Sequence, residues 1–134
     1  MPENKQQSLP ENKMPVIRVP AMHADLNKGG SVFGGWIMSQ VDIAGSIPAA
    51  IRARGAVVTR AVDSFEFKKP VFAGDIISGY AEVVSVGRTS ITVRVEVFAQ
   101  HMKKGVVTTL AVTEATLVYV AVDEQGKPRA VPDQ

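Results

Sequence analysis

The chain has 134 residues, 46% hydrophobic and 21% charged, with 15 basic against 13 acidic side chains and a formal net charge of +2. That length suits one domain with a sizeable core, and so small a basic excess gives no electrostatic case for a nucleic-acid or membrane partner. The absence of cysteine excludes disulfides, thiolate metal sites and cysteine nucleophiles, while His23 and His101 alone are too few for a histidine-rich metal site.

Residues 1–14, MPENKQQSLPENKM, are polar and carry the fragment PEN twice, which predicts a mobile tail ahead of a single domain over 15–134. The tail lacks the apolar core of a signal peptide, and charges break every apolar run short of the ~18 residues of a membrane span. Cytoplasm is the expected compartment. Residues 15–20, PVIRVP, read as a short strand with proline at both ends. A loop bearing Gly, Asp and Asn leads on from there.

Residues 31–54, SVFGGWIMSQVDIAGSIPAAIRAR, form the stretch around which the chain is organised. They are apolar on nearly every side, the pattern of a buried helix. Ser31 is the predicted N-cap, Pro48 a predicted kink eased by Gly45, and Gly55 the stop after Arg52 and Arg54. Ser39, Asp42 and Ser46 share one narrow stripe. No Lys or Arg stands at 38, 39, 45 or 46, so Asp42 has no cation one turn away. A buried carboxylate without a partner costs several kcal/mol unless it is protonated, hydrogen-bonded or retained for a purpose.

After Gly55 the period changes. Residues 56–71, 76–86, 91–102 and 106–122 are rich in β-branched residues and separated by turns, with clear alternation of Ile91, Val93, Val95 and Val97 against Thr92, Arg94 and Glu96. On the last strand Leu110, Val112, Val118 and Val120 are expected on one face, with Ala111, Ala115, Leu117 and Tyr119 on the other. Four long strands after one helix predict an α+β fold in which an antiparallel sheet curls around that helix. A sheet apolar on both sides also predicts a second subunit.

The blocks GGSVFGGWIMSQVD, VVTRAVDSFEFKKPVFAGD and VGRTSITVRVEV resemble the acyl-CoA thioesterases of the hotdog superfamily, most closely the YciA-type branch. The resemblance covers roughly residues 18–132. It implies the hotdog fold, a homo-oligomer built as a trimer of dimers, an acyl-CoA substrate, and no cofactor, metal, nucleic acid or membrane. It also implies that Asp42 is the catalytic carboxylate, acting as general base or as nucleophile. The backbone N–H groups of Gly34 and Gly35 then suit a developing oxyanion, with close helix–sheet packing as the lesser alternative reading of the two glycines. Asn27 could orient water or the carbonyl, or simply form an Asx turn. The turn of Gly87, Arg88, Thr89 and Ser90 resembles the family turn that meets the nucleotide of CoA, with backbone, guanidinium and hydroxyl donors. Lys68 and Lys69 are a second basic pair, Arg60 and Arg129 weaker candidates. Ser64, with Thr59 near it, is expected on the strand facing the helix. His23 and His101 read as surface residues. A hotdog hydratase or dehydratase would want a histidine working with an acid, and none lies on the helix; a non-catalytic acyl-CoA-binding module is the reading from another class.

Overall fold

The computed structural model describes residues 7–134. Along the chain come β1 (Ile17–Pro20), a 3-10 turn (His23–Asp25), α1 (Gly34–Ala53), β2 (Val57–Phe67), β3 (Ile76–Val86), β4 (Ser90–Lys103) and β5 (Val106–Ala121). The strands form one antiparallel sheet in the order β1-β3-β4-β5-β2. The α+β class, the single helix and the four long strands agree with the sequence reading. The strand order is new information: β2 pairs with β5, so the chain leaves β2 at one edge and crosses the helix start before entering β3. Val32 N–H donates to the Val71 carbonyl at 2.7 Å during that crossing. Residues 1–6 of the expected tail lie outside the described residues, and Gln7 bridges to Thr109.

The core lies between α1 and one sheet face. Ile91, Val93, Val95 and Val97 are at most 1% exposed, as their alternation predicts. Burial of each such side chain contributes about 1.5–3 kcal/mol, which makes β4 the anchor of the sheet. On β5 the expected faces need correction. A register shift opposite Val97 and Phe98 inserts an extra residue, and Val112 joins Ala115, Leu117 and Tyr119 in the helix-facing core while Val118 and Val120 take the other face. A bulge reverses the parity that strict alternation assumes.

The helix also departs from its reading. It spans Gly34–Ala53, with Phe33 as N-cap and no side-chain cap. Ser31 instead bridges to Phe72 and accepts a hydrogen bond from Asn27. Nor is the helix buried all round: within one chain Met38 is 44%, Ile43 50% and Ile51 73% exposed. The sheet covers only the side of Ile37, Val41, Ala44, Gly45, Ala49 and Ala53. The helix runs through Pro48. Gly45 serves packing, because a Cβ there would overlap the Tyr119 hydroxyl.

Candidate active site

Asp42 leaves the middle of α1 toward β2, the edge strand of the sheet. The expected deeply buried, partnerless carboxylate is half-buried in a single chain and well hydrogen-bonded. Thr59 Oγ1 donates to Asp42 Oδ1 at 2.6 Å, and the Tyr119 hydroxyl lies 2.8 Å from the Asp42 carbonyl and 3.2 Å from Oδ1. Both partners are hydroxyls, which orient a carboxylate without cancelling its charge. Among the described residues Oδ2 has no hydrogen bond. Tyr119 is fully buried; burial first, then the Asp42 charge and their hydrogen bond, raise its hydroxyl far above the ordinary tyrosine range. It therefore stays a proton donor.

Gly34 and Gly35 are the first two residues of the helix, both exposed. Trp36 N–H is already satisfied by the Phe33 carbonyl, whereas the N–H groups of the two glycines have no helical partner. Beside them opens a cavity of about 350 Å³ whose lining includes Val32, Gly34, Ile37, Phe67, Lys68 and Lys69. Eight residues of helix at ~1.5 Å each set Gly34 about 12 Å from Asp42. One thioester carbonyl cannot touch both within one chain.

Asn27 is exposed and largely used by its own loop. Its Oδ1 accepts from Gly29 N–H at 2.8 Å and Ser31 N–H at 3.3 Å, and Nδ2 donates to Ser31 Oγ at 3.1 Å. One amide N–H remains free. In the turn of Gly87, Arg88, Thr89 and Ser90, Gly87 N–H closes onto the Ser90 carbonyl at 2.8 Å, and no side-chain hydrogen bond among the described residues engages Arg88, Thr89 or Ser90. Lys69 is exposed at the helix-start cavity. Lys68 lies 3.4 Å from Glu114, whose carboxyl is held below the usual range chiefly by its hydrogen bond from Arg94.

One expectation about side chains fails. Ser64 does not face the helix: it pairs with Thr116 and lines an outer-face cavity with Glu66, Arg94 and Glu114, because bulges in β2 shift its parity. His101 lies at the surface as expected, its side chain 42% exposed, and its Nδ1 also pairs with the buried Asp75. Neither residue touches Asp42. Arg129 spends its guanidinium on the carbonyls of Ala53 and Val122. Thr59 and Tyr119 are the neighbours of Asp42 that residue patterns underweight. Among the described residues no group of three His, Cys, Asp or Glu could hold a metal ion, and no helix is long and apolar enough to cross a membrane.

Comparison with known proteins adds to this geometry. Residues 29–106 match the thioesterase superfamily. The acyl-CoA thioester hydrolase YciA of Escherichia coli K12 is 45% identical over 118 residues, covering 87% of this chain and 89% of that protein. The hexameric hotdog-fold thioesterase of Campylobacter jejuni superposes with a TM-score of 0.88 at 44% identity, over 92% of this chain and 93% of that one. A hexameric broad-specificity acyl-coenzyme A thioesterase, solved as an aspartate-to-alanine variant, gives 0.86 at 40% identity over 92% and 89%.

Proposed function

The chain belongs to the thioesterase superfamily, as a hotdog-fold acyl-CoA thioester hydrolase, and from that premise we propose that its active site joins Asp42 of one subunit to the helix start of another. The observation that carries this reading is the separation of Asp42 from Gly34 by about 12 Å of rigid helix. The Asp42–Thr59 pair stands on the helix and on an exposed edge strand, where a second copy could complete it. The relatives are hexameric, which supports a multi-subunit assembly, and a trimer of dimers would supply such paired sites.

In this mechanism Asp42 Oδ2 takes a proton from water, and the resulting hydroxide adds to the thioester carbonyl. Thr59 and Tyr119 hold Oδ1 and keep the carboxylate aimed. The partner's Gly34 and Gly35 N–H groups receive the oxyanion. Collapse breaks the C–S bond, and the CoA thiolate takes up the proton, leaving a carboxylic acid. The same free Oδ2 would serve as nucleophile, with water then opening the mixed anhydride. Asn27, through its one free N–H, would steer the water or the carbonyl. Arg88, Thr89, Ser90 and the Gly87 turn would meet the CoA nucleotide, with Lys68 and Lys69, both at the helix-start cavity, as further cations; Lys68 is shared with Glu114, and Ser64, on the outer face, contributes less. CoA enters as part of the substrate, no cofactor is required, and the cytoplasm, where CoA thioesters are made and used, is the expected place of action.

The test is thiol release from acyl-CoA by mixed oligomers. Asp42→Asn and Gly34→Pro chains are each expected to be nearly inactive, and their exchange should restore activity because some mixed sites hold both intact halves. Verified mixed dimers that stay inactive would place both groups in one subunit. A dilution-stable, active monomer would end the shared-site reading.

A further inference from the structure

The C-terminal segment after β5 does more than end the chain. Val122 bridges to Pro128 across the turn at Gly126, which sends residues 128–132 back along the sheet end. Arg129 N–H donates to the Ala121 carbonyl at 2.9 Å. Its guanidinium donates to Val122 at 3.0 Å and to Ala53, a carbonyl at the end of α1, at 2.9 Å. Gly55 leaves room for it, since a Cβ there would lie 2.7 Å from Nη2. Arg52 reaches from the helix to the Pro132 carbonyl at 2.5 Å. Between these anchors Val131, partly buried against the core, donates its N–H to the Arg88 carbonyl at 2.8 Å.

That last bond matters because of what it leaves free. The carbonyl of Arg88 is held by Val131, and that of Thr89 by Ala121 N–H at 2.9 Å. The carbonyls of Arg88 and Thr89, like that of Ser90, are therefore tied to the protein side. The Arg88 guanidinium and the hydroxyls of Thr89 and Ser90 carry no side-chain hydrogen bond among the described residues. Such a turn is pre-organised to present donors, and pre-organisation lowers the ordering cost of binding a polyphosphate.

We infer that residues 128–132 are a positioning strap that sets the nucleotide-binding turn, with Arg129 as its clasp, and that the strap governs affinity for the CoA moiety without entering the chemistry. The inference rests on the proposed CoA role of the turn. Arg129 acts through Val131 on Arg88 and touches no substrate atom.

The test compares acyl-CoA with the same acyl group on N-acetylcysteamine, which lacks the nucleotide, using full-length oligomers of wild type, Arg129→Ala, Val131→Pro and Arg88→Ala. Val131→Pro removes one N–H donor while leaving the clasp, so it keeps the test sharp should Arg129→Ala fail to fold. KM for acyl-CoA should rise about three- to tenfold in either strap variant, the scale of one or two lost hydrogen bonds, with kcat and the short thioester unchanged. Arg88→Ala combined with Val131→Pro should lose less than the two single effects multiplied, since part of the strap's effect runs through the Arg88 side chain. A KM effect of Arg88→Ala with none from either strap variant overturns the strap and leaves the turn's CoA role standing. No KM effect of Arg88→Ala overturns that role and the strap with it. Equal losses on both thioesters, or full additivity, would make the strap a general stabiliser and overturn the inference.

Discussion

The two ends of the central helix are built on opposite plans. At its start Phe33 gives no side-chain cap, no acidic residue stands in the first turn, and two exposed glycines point unsatisfied N–H groups outward. At its end Arg54 turns into the left-handed region, its N–H and that of Gly55 return to Ile51 and Ala50, Arg129 takes the Ala53 carbonyl, and Arg52 grips the C-terminal strap. An uncapped helix start forgoes roughly 0.5–2 kcal/mol of stability. The open end leaves donors and a positive dipole without a helical partner, whereas the closed end returns the Arg54 and Gly55 N–H groups, the Ala53 carbonyl and the Arg52 side chain to the fold. Asp42 lies between, with one oxygen held and one free.

If this contrast divides chemistry from structure, the largest effect must come from the free oxygen. Asp42→Asn keeps the shape and removes the base, so kcat should fall about 10²–10⁴-fold with little change in thermal stability. Near wild-type turnover in a thiol-release assay would erase the assignment. Next comes the open end itself. Gly34 is the first helical residue, where proline is tolerated because the lost N–H has no helical acceptor. Gly34→Pro should thus fold, with a small adjustment of the Phe67 ring that a Cβ would meet at 3.3 Å, and lose about 10²–10³ in kcat if that N–H holds the oxyanion. A normal kcat would mean that the start is open for packing alone.

Why some of this was readable from residues and some was not follows from distance along the chain. The helix, the alternation of β4 and the lack of a cation near Asp42 are local patterns, decided within a turn or a strand. Thr59 and Tyr119, by contrast, reach Asp42 from 17 and 77 positions away. Their placement depends on register, and register is altered by bulges at Thr59/Ala61, Val62/Ser64 and Val97/Phe98. The same shifts turned Ser64 outward and Val112 inward, against strict alternation. The pairing of His101 with Asp75 escaped the residue patterns because the two meet across 26 residues. The apolar all-round helix was legible, but what covers Met38, Ile43 and Ile51 is not part of one chain.

A third test uses the joint between the helix and the sheet. Tyr119 has its pKa raised, by burial first and by Asp42 second. A raised folded value means that the native state keeps a proton the unfolded chain releases. Its contribution is complete below the unfolded tyrosine pKa of about 10 and is lost as pH rises beyond it, at up to about 1.4 kcal/mol per pH unit. Urea melts between neutral pH and pH 11 should show this fall, and Tyr119→Phe should flatten it by about one proton. An unchanged slope would show that the phenol is not the group linking alkaline pH to unfolding.

The smallest effect sharpens the contrast from the closed end. Arg54 adopts φ 55 and ψ 41, a conformation that disfavours a side chain bearing Cβ. Glycine is the usual occupant of such a helix stop. Arg54 is exposed and has no side-chain hydrogen bond or ion pair among the described residues, so Arg54→Gly removes strain and breaks no contact. Two terms oppose the gain: glycine's larger unfolded entropy, and the loss of a cation near the negative end of the helix. Arg52 and Arg129 retain positive charge at that end, which keeps the second term small. The net expectation is a stabilisation of about 0.5–1 kcal/mol, read in denaturant melts, with kcat and KM for acyl-CoA unchanged. A variant that melted higher but turned over more slowly would mean that the closed end takes part in catalysis, and the division between the two ends would fall.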